Sequence, residues 1–189
     1  MALLPIDISS YDNFRADALA RAGQGLGYDV DGLYGYQCWD LAAELWMNIP
    51  EFQNSELWPH TGPNLYAKEC WTYSRDANAG NSFDLIYNLS DVKRGDIVVL
   101  DLYTVGHIAF ADADYTGSGT LNLLGQNQVN PDPTYGHIPT ITTFNMSTFL
   151  GAFRYKAWAQ PVPPTPTTKK HKFPWFIYTN KKRNNYGII

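Results

Sequence analysis

The sequence has only two cysteines, Cys38 and Cys70, and no apolar run close to the roughly 20 residues that span a bilayer. Two thiols are too few for a disulfide framework, and we expect both to stay reduced. The first residues, Met1–Asp7, have neither a basic start nor a full apolar segment. We therefore expect no secretion signal and no transmembrane segment.

Charged residues are also scarce, at 17% of the chain, and they are unevenly distributed. Eight basic and 18 acidic residues precede position 159, which gives that part a net charge of −10, whereas the remainder carries +6. Nucleic-acid-binding proteins neutralise phosphates with clustered Lys and Arg, so the acidic part is not expected to bind nucleic acid. An apolar fraction of 44% instead predicts a folded globular domain.

A proline- and threonine-rich stretch near the C-terminus has the composition of an extended linker. We place one domain at residues 1–158, the linker at 159–168 and a basic, aromatic tail at 169–189. The 21 residues of the tail are too few to form a core of their own. The tail is therefore a candidate anchoring segment.

Two helices are predicted in the first 50 residues. The first follows Ser9 and Ser10 and spans Tyr11 to Arg21. The second opens at Gln37 and ends at Asn48 and Pro50. Its apolar positions have the i, i+3, i+4, i+7 spacing of one helix face: Cys38, Leu41, Ala42 and Leu45.

The second half of the domain is predicted to be mainly strands, after a possible short helix from Leu65 to Trp71. Candidate strands bounded by turn residues are Ile97–Tyr103, His107–Ala113 and Leu121–Gln128, with further edges at Thr142–Phe144 and Ala152–Lys156. Helices followed by an antiparallel sheet predict an α+β domain.

Cys38 would lie in the first turn of its helix, where exposed N–H groups and the helix dipole stabilise a thiolate and an oxyanion. A cysteine on an apolar helix face is more commonly a packing residue, so position alone leaves both roles open. His107 is the candidate base, because Ala109 and Ala111 on its strand face leave room for a cleft. Asn127 on the next strand could fix its tautomer.

An acidic loop precedes Cys38. Asp29, Asp31 and Asp40 offer three carboxylates, and the carbonyls of Leu33 and Gly35 could complete a calcium shell. The alternative is a solvated acidic turn in which Asp40 provides a favourable charge at the helix start.

Four separated blocks together resemble the CHAP family of cysteine, histidine-dependent amidohydrolases and peptidases. The blocks are Asp29–Asp40, Lys93–Val99, Gly106–Phe110 and Leu124–Asn127. The resemblance implies a papain-like fold over about residues 10–158, with helices packed on an antiparallel sheet, and cleavage of an amide bond in bacterial peptidoglycan.

The same resemblance implies a role for each matched residue. Cys38 corresponds to the nucleophile, His107 to the general base and Asn127 to the residue that orients the histidine, while Gln37 could assist the oxyanion site. One departure is Gly125, where phage members of the family often have a glutamate. Orientation of the imidazole would then depend on Asn127 alone, and low activity would be one consequence.

The resemblance also favours calcium at the acidic loop, held by Asp29, Asp31, Leu33, Gly35 and Asp40, in a structural role. It leaves open whether the enzyme is an amidase or an endopeptidase. It also leaves open whether it is a free endolysin, released from the host cytoplasm through holin lesions, or a virion component anchored to phage tail proteins by residues 169–189. The competing interpretation is a structural or wall-binding virion protein that retains the fold with little catalysis.

Overall fold

The secondary structure follows the predicted order of helices before strands. A computed structural model describes residues 6–52, 58–76 and 79–159. The predicted tail and all but the first residue of the predicted linker lie outside the described residues. The helices are α1 (Tyr11–Ala22), α2 (Cys38–Met47), α3 (Glu69–Asp76) and the short α4 (Lys156–Ala159). The strands are β1 (Phe83–Ile86), β2 (Ile97–Leu100), β3 (His107–Ala111), β4 (Thr120–Gly125), β5 (Thr140–Asn145) and β6 (Phe149–Tyr155).

Helix α1 begins where the sequence provides a cap. The side chain of Ser10 accepts a hydrogen bond from the N–H of Asn13 at 3.2 Å, which satisfies one of the free donors of the first turn. Phe14 and Ala18 are fully buried on one face of the helix. The predicted helix is thus confirmed, with Gly23 as its C-cap.

Helix α2 is buried more deeply and packs against β3. Its apolar face places Leu41, Leu45 and Trp46 fully in the core. The indole of Trp46 stacks on the ring of Phe83 from β1, with 4.0 Å between the centroids. This packing fixes the helix, and with it the position of its first residue, relative to the sheet.

The six strands form one antiparallel sheet in the order β1-β6-β2-β3-β4-β5. Every residue of β2 is buried. Ile97 and Val99 belong to the core cluster under the helices, whereas Val98 and Leu100 belong to a second apolar cluster. A sheet covered on both faces explains why this strand is a continuous apolar run. The predicted α+β arrangement of helices on an antiparallel sheet is confirmed.

Several predicted boundaries differ from the structure, and one strand was not predicted. The short helix predicted from Leu65 is found at Glu69–Asp76, because Leu65 has a φ of +58°, outside the helical region. Strand β4 stops at Gly125 and does not continue to Gln128. Strand β1 was not predicted at all, since its four residues are too few to show a sustained alternation of apolar and polar positions. Among the described residues, no helix is both long and apolar enough to cross a membrane.

Candidate active site

Cys38 is the first residue of α2, as the sequence predicted. The helix starts there because Gln37 is its N-cap residue. Asp40, in the first turn of the helix, accepts a hydrogen bond from the N–H of Gln37 at 2.9 Å, as in a capping box. Cys38 is half-buried and lies at the edge of the main core. The N–H groups of a first helical turn have no partner within the helix and point towards the site.

The loop that leads into α2 is tied to the segment around residue 136. The N–H of Tyr36 donates to the carbonyl of Tyr135 at 2.9 Å, and the N–H of His137 donates to the carbonyl of Tyr36 at 3.1 Å. Gly35 has a φ of +64°, and Gly136 a φ of +61°. A Cβ at either glycine would collide with the main chain of the other segment. These two glycines therefore permit the close approach that fixes the loop.

The sulfur of Cys38 is the enclosed part of its side chain. Burial raises the pKa of the Cys38 thiol to about 11, while the main-chain N–H groups of Ile108, Cys38 and Trp39 lower it. Ile108 directly follows His107, so the sulfur lies beside the first residues of β3. Because the thiol is protonated at neutral pH, an attack on a substrate requires a base that removes this proton.

His107 is the first residue of β3, and only 5% of it is exposed. Its ring stacks on Phe144 with 5.1 Å between centroids, and its Nε2 lies 3.3 Å from Oε1 of Gln128. Burial lowers the pKa of His107 to about 4, against a smaller raising effect of Gln128. The hydrogen bonds of the described residues include none between this ring and Cys38. The imidazole is thus neutral at pH 7, and Nδ1 is its unpaired nitrogen among these residues.

The hydrogen bonds of the described residues do not include the one predicted between Asn127 and His107. The amide of Asn127 donates to Oε1 of Gln37 at 2.7 Å and to the carbonyl of Asp132 at 2.9 Å. Its Oδ1 accepts the N–H of Asp132 at 2.8 Å and lies 3.0 Å from Nδ1 of His137. The reason is local: β4 has already ended, and Asn127 has a φ of +51°, which directs its side chain into the loop. Asn127 therefore organises the loop beside Cys38.

The side chain of Gln37 is also engaged within this loop. Its Nε2 donates to the carbonyl of Tyr34 and, at 3.2 Å, to that of Asp132. In this conformation the amide has no hydrogen left for an oxyanion. The main-chain N–H groups beside the sulfur are those of Ile108, at the start of β3, and of Cys38 and Trp39, at the start of α2.

Two glutamines on either side of Asn127 were missed by the sequence reasoning. Gln126 is fully buried, and its Oε1 accepts the N–H of Tyr28 at 2.7 Å. Its Nε2 donates to the carbonyls of Tyr28 at 3.0 Å and Gln37 at 2.9 Å, which ties the residue before Cys38 to the end of β4. The second is Gln128, which contacts His107. Three consecutive amides after a strand were the signal that could have indicated both.

The structure brings the three predicted acidic ligands together. Oxygen atoms of Asp29, Asp31 and Asp40 all lie within 4.8 Å of one another. Asp40 is buried, and its second oxygen accepts the N–H of Val30 at 2.8 Å. Burial raises the pKa of Asp40 to about 7, and the charges of Asp31 and Asp29 add to this effect. Negative charge thus accumulates at the entrance to α2.

The two predicted carbonyl ligands belong to the same loop. The N–H of Leu33 donates to Oδ1 of Asp31 at 2.8 Å, which folds this residue back towards the carboxylates. The carbonyl of Gly35 accepts the N–H of Gln37 at 2.9 Å. A carbonyl oxygen has two lone pairs, so this contact is compatible with an additional cation.

A cleft of about 630 Å³ opens beside Cys38. This volume is in the range of pockets that hold small ligands. Aromatic and amide side chains dominate its walls, and Tyr34 and Tyr103 are exposed. The lining residues are Tyr34, Gln37, Cys38, Trp39, Asn64, Leu65, Tyr66, Ala67, Tyr103, Val105, Asn127, Pro131 and Pro133.

Comparison with known proteins finds a similar curated sequence. No protein-family model matches the chain. The chain is 31% identical over 159 residues to a D-alanyl-L-alanine endopeptidase of Streptococcus phage B30. The match covers 81% of this chain but only 33% of the phage protein, so the chain spans about a third of that relative.

The fold is similar to that of an endolysin. The wild-type endolysin LysIME-EF1 superimposes with a TM-score of 0.56 and 22% sequence identity, over 77% of this chain and 64% of that one. This likeness agrees with the α+β, papain-like arrangement that the sequence predicted.

Proposed function

We propose that the chain is a cysteine-dependent peptidoglycan hydrolase of the CHAP type from a phage. The observation that carries the proposal is the position of the Cys38 thiol, at the start of a helix, on a cleft, beside the strand that begins with His107. The 31% identity to a phage D-alanyl-L-alanine endopeptidase supports the same conclusion.

In the proposed mechanism, Sγ of Cys38 attacks the carbonyl carbon of the scissile amide while Nδ1 of His107 takes the thiol proton. The N–H groups of Cys38 and Trp39 stabilise the oxyanion. His107 then gives its proton to the departing amine, which leaves a thioester on Cys38. Water, deprotonated by His107, hydrolyses the thioester to a carboxylic acid and restores the thiol. Since both groups are uncharged at rest, the proton moves during the attack.

We favour endopeptidase over amidase chemistry. The name of the phage relative describes a bond between D-alanyl and L-alanyl residues, and the same bond type is proposed for this chain. Mass spectrometry of the fragments released from walls tests the choice: new N-terminal L-alanine supports the endopeptidase. Stem peptides freed intact from the glycan would instead indicate the amidase.

Calcium is the proposed metal of the acidic loop. Hard carboxylate and carbonyl oxygens suit Ca²⁺, and Asp29, Asp31 and Asp40 converge closely enough to share one ion. The carbonyls of Leu33 and Gly35 would complete the shell. When bound, calcium supplies positive charge that favours the ionised form of Asp40. Asp40 itself holds the N–H groups of Val30 and Gln37, and so braces the loop before Cys38.

For the biological setting, we propose an endolysin or a virion-associated lysin that acts on the bacterial cell wall. A role of residues 169–189 in binding phage tail proteins, wall polymers or membrane concerns residues outside the described ones. Comparing binding of the full chain and of a chain ending at residue 168 to walls, to lipid vesicles and to purified virions tests this role.

A structural or wall-binding protein without turnover is the second candidate. It is favoured by the burial of His107 and by the lack of a hydrogen bond between its ring and Cys38 in the described part of the chain. The decisive experiment is a zymogram on Gram-positive walls with the wild type, with Cys38→Ala and with chelated calcium. Clearing by the wild type but not by Cys38→Ala supports the enzyme. Equal behaviour of the two proteins would refute the cysteine mechanism.

A further inference from the structure

We propose that Gln128 positions His107, in the place of a carboxylate, and selects Nδ1 of the ring as the proton acceptor. The inference rests on the proposed function of Cys38 and His107. Gln128 is 7% exposed, and its Oε1 lies 3.3 Å from Nε2 of His107. It does not touch the reacting atoms, so its role is that of a positioning residue.

The orientation of the Gln128 amide is fixed by its other contacts. Nε2 of Gln128 donates to the carbonyl of Thr140 at 2.7 Å, to Oγ1 of Thr140 at 3.3 Å and to the carbonyl of Leu123 at 3.2 Å. Carbonyl oxygens only accept hydrogen bonds, so a rotated amide would set its own oxygen against two acceptors. The amide oxygen must therefore face His107.

This orientation determines the tautomer of the histidine. Opposite an oxygen that can only accept, Nε2 of His107 carries the hydrogen, and the lone pair is then on Nδ1. Stacking on Phe144 holds the plane of the ring. The ring therefore presents a proton acceptor and has no charged partner in the described part of the chain, and the thiol of Cys38 is the group it serves in the proposed reaction.

Gly125 provides the space that this arrangement requires. A Cβ at position 125 would lie 2.9 Å from Oε1 of Gln128 and 2.8 Å from Cβ of Ala109. A side chain at 125 and the amide of Gln128 therefore exclude each other. In the sequence, Gly125 suggests that an orienting carboxylate has been lost. In the structure, the missing side chain leaves the space through which Gln128 reaches His107.

The first test is nitrogen-15 NMR of the histidine rings in the full, calcium-loaded chain at pH 7, with His107→Gln to assign the signal. The wild type is expected to show His107 protonated on Nε2. In Gln128→Met, which keeps a similar length without the amide, the Nδ1-protonated form is expected to become detectable. A wild-type ring protonated on Nδ1, or an unchanged tautomer in Gln128→Met, would overturn the proposal. The wild-type measurement decides this even if the variant does not fold.

The second test is kinetic and uses a soluble stem-peptide substrate. Removing one hydrogen bond that acts on the base is expected to lower kcat of Gln128→Met about ten- to a hundredfold, with KM changed less than about twofold. Gln128→Glu restores an acceptor and is expected to recover most of this loss. It is also expected to shift the acidic limb of the pH profile upwards, because a carboxylate stabilises the imidazolium.

The matched control is Thr143→Val on the exposed part of β5, which should leave both constants unchanged. A kcat in Gln128→Met equal to that of the wild type would contradict the positioning role. If the wild type is inert on walls and peptides but His107 has the expected tautomer, the proposed function fails while the assignment of Gln128 stands.

Discussion

The acidic loop before Cys38 should make the stability of the fold depend on pH by an amount that can be measured. Asp40 is buried beside Asp29 and Asp31, and burial raises its pKa to about 7 from 3.8. At a pH between these two pKa values, Asp40 keeps its proton in the folded chain without calcium but has lost it in the unfolded chain. Stability therefore falls as pH rises through this window. From pH 5 to pH 8 the loss from Asp40 is about 2.5 kcal/mol.

The perturbation is Asp40→Asn, measured by urea unfolding in EDTA at half-unit steps from pH 5 to pH 8. The substitution changes a hydrogen bond to Val30 or Gln37, which adds an offset that does not depend on pH. His107 contributes in the opposite sense: because burial lowers its pKa to about 4, stability rises with pH between that value and 6.5. Both proteins contain His107, so the difference between their unfolding free energies isolates Asp40.

We expect this difference, wild type minus Asp40→Asn, to fall by about 2.5 kcal/mol across the range. Asp29→Asn is the matched control. It removes a charge of the same cluster but from an exposed residue, so most of the pH dependence should remain. With saturating calcium in place of EDTA, the wild type should gain more stability at pH 8 than at pH 5, because the cation binds ionised Asp40. A difference that is constant with pH, or that rises, would refute the reasoning.

Three further predictions concern the site and the core. With calcium saturating, the acidic limb of the pH profile of kcat/KM on a soluble substrate should lie well below pH 6. The reason is that His107 becomes protonated, and so stops acting as a base, only near its lowered pKa of about 4. An acidic limb at pH 6.5 would contradict this. Gln126→Leu should destabilise the fold by about 3 kcal/mol in urea unfolding, because it leaves main-chain groups of Tyr28 unpaired. A loss under about 1 kcal/mol would argue against a stabilising role of these hydrogen bonds. Trp46→Ala should lower the free energy of unfolding by about 3–5 kcal/mol. Trp46→Phe should lower it much less, because the buried Nε1 of the indole has no partner among the described residues. Equal losses for the two variants would show that stability requires the indole ring and not only an aromatic side chain.

The start of each main helix could be predicted from the sequence because the signals there are local. Ser10 caps α1 within its own turn, and the periodic apolar residues from Cys38 define the buried face of α2. The position of α3 depends instead on the positive φ of Leu65, which no local pattern indicates. Strand β1 depends on its pairing with β6 and on the packing of Phe83 against Trp46, which are contacts between distant parts of the chain.

The site was predicted less completely, for a related reason. Cys38 and the acidic residues are close in sequence, and their arrangement follows from one loop and one helix start. The side chain of Asn127, by contrast, depends on where β4 ends. A strand that continued to Gln128 would alternate its side chains and direct Asn127 and Gly125 to the same face. Because β4 stops at Gly125, the alternation fails for the residues that follow.

A functional role carried over by aligned position assumes that the side chain at that position reaches the same place. Here Gly125 occupies the position at which phage members of the family often have a glutamate. The resemblance would therefore assign the orienting role to Asn127. The oxygen beside Nε2 of His107 belongs to Gln128, three residues beyond the glycine. In the proposed mechanism His107 needs a hydrogen-bond acceptor at one point in space, and a turn after a shortened strand can supply it from a different residue. In the proposed mechanism the absence of a side chain at 125 is therefore compatible with catalysis, and activity should depend on the pair Gly125 and Gln128 together.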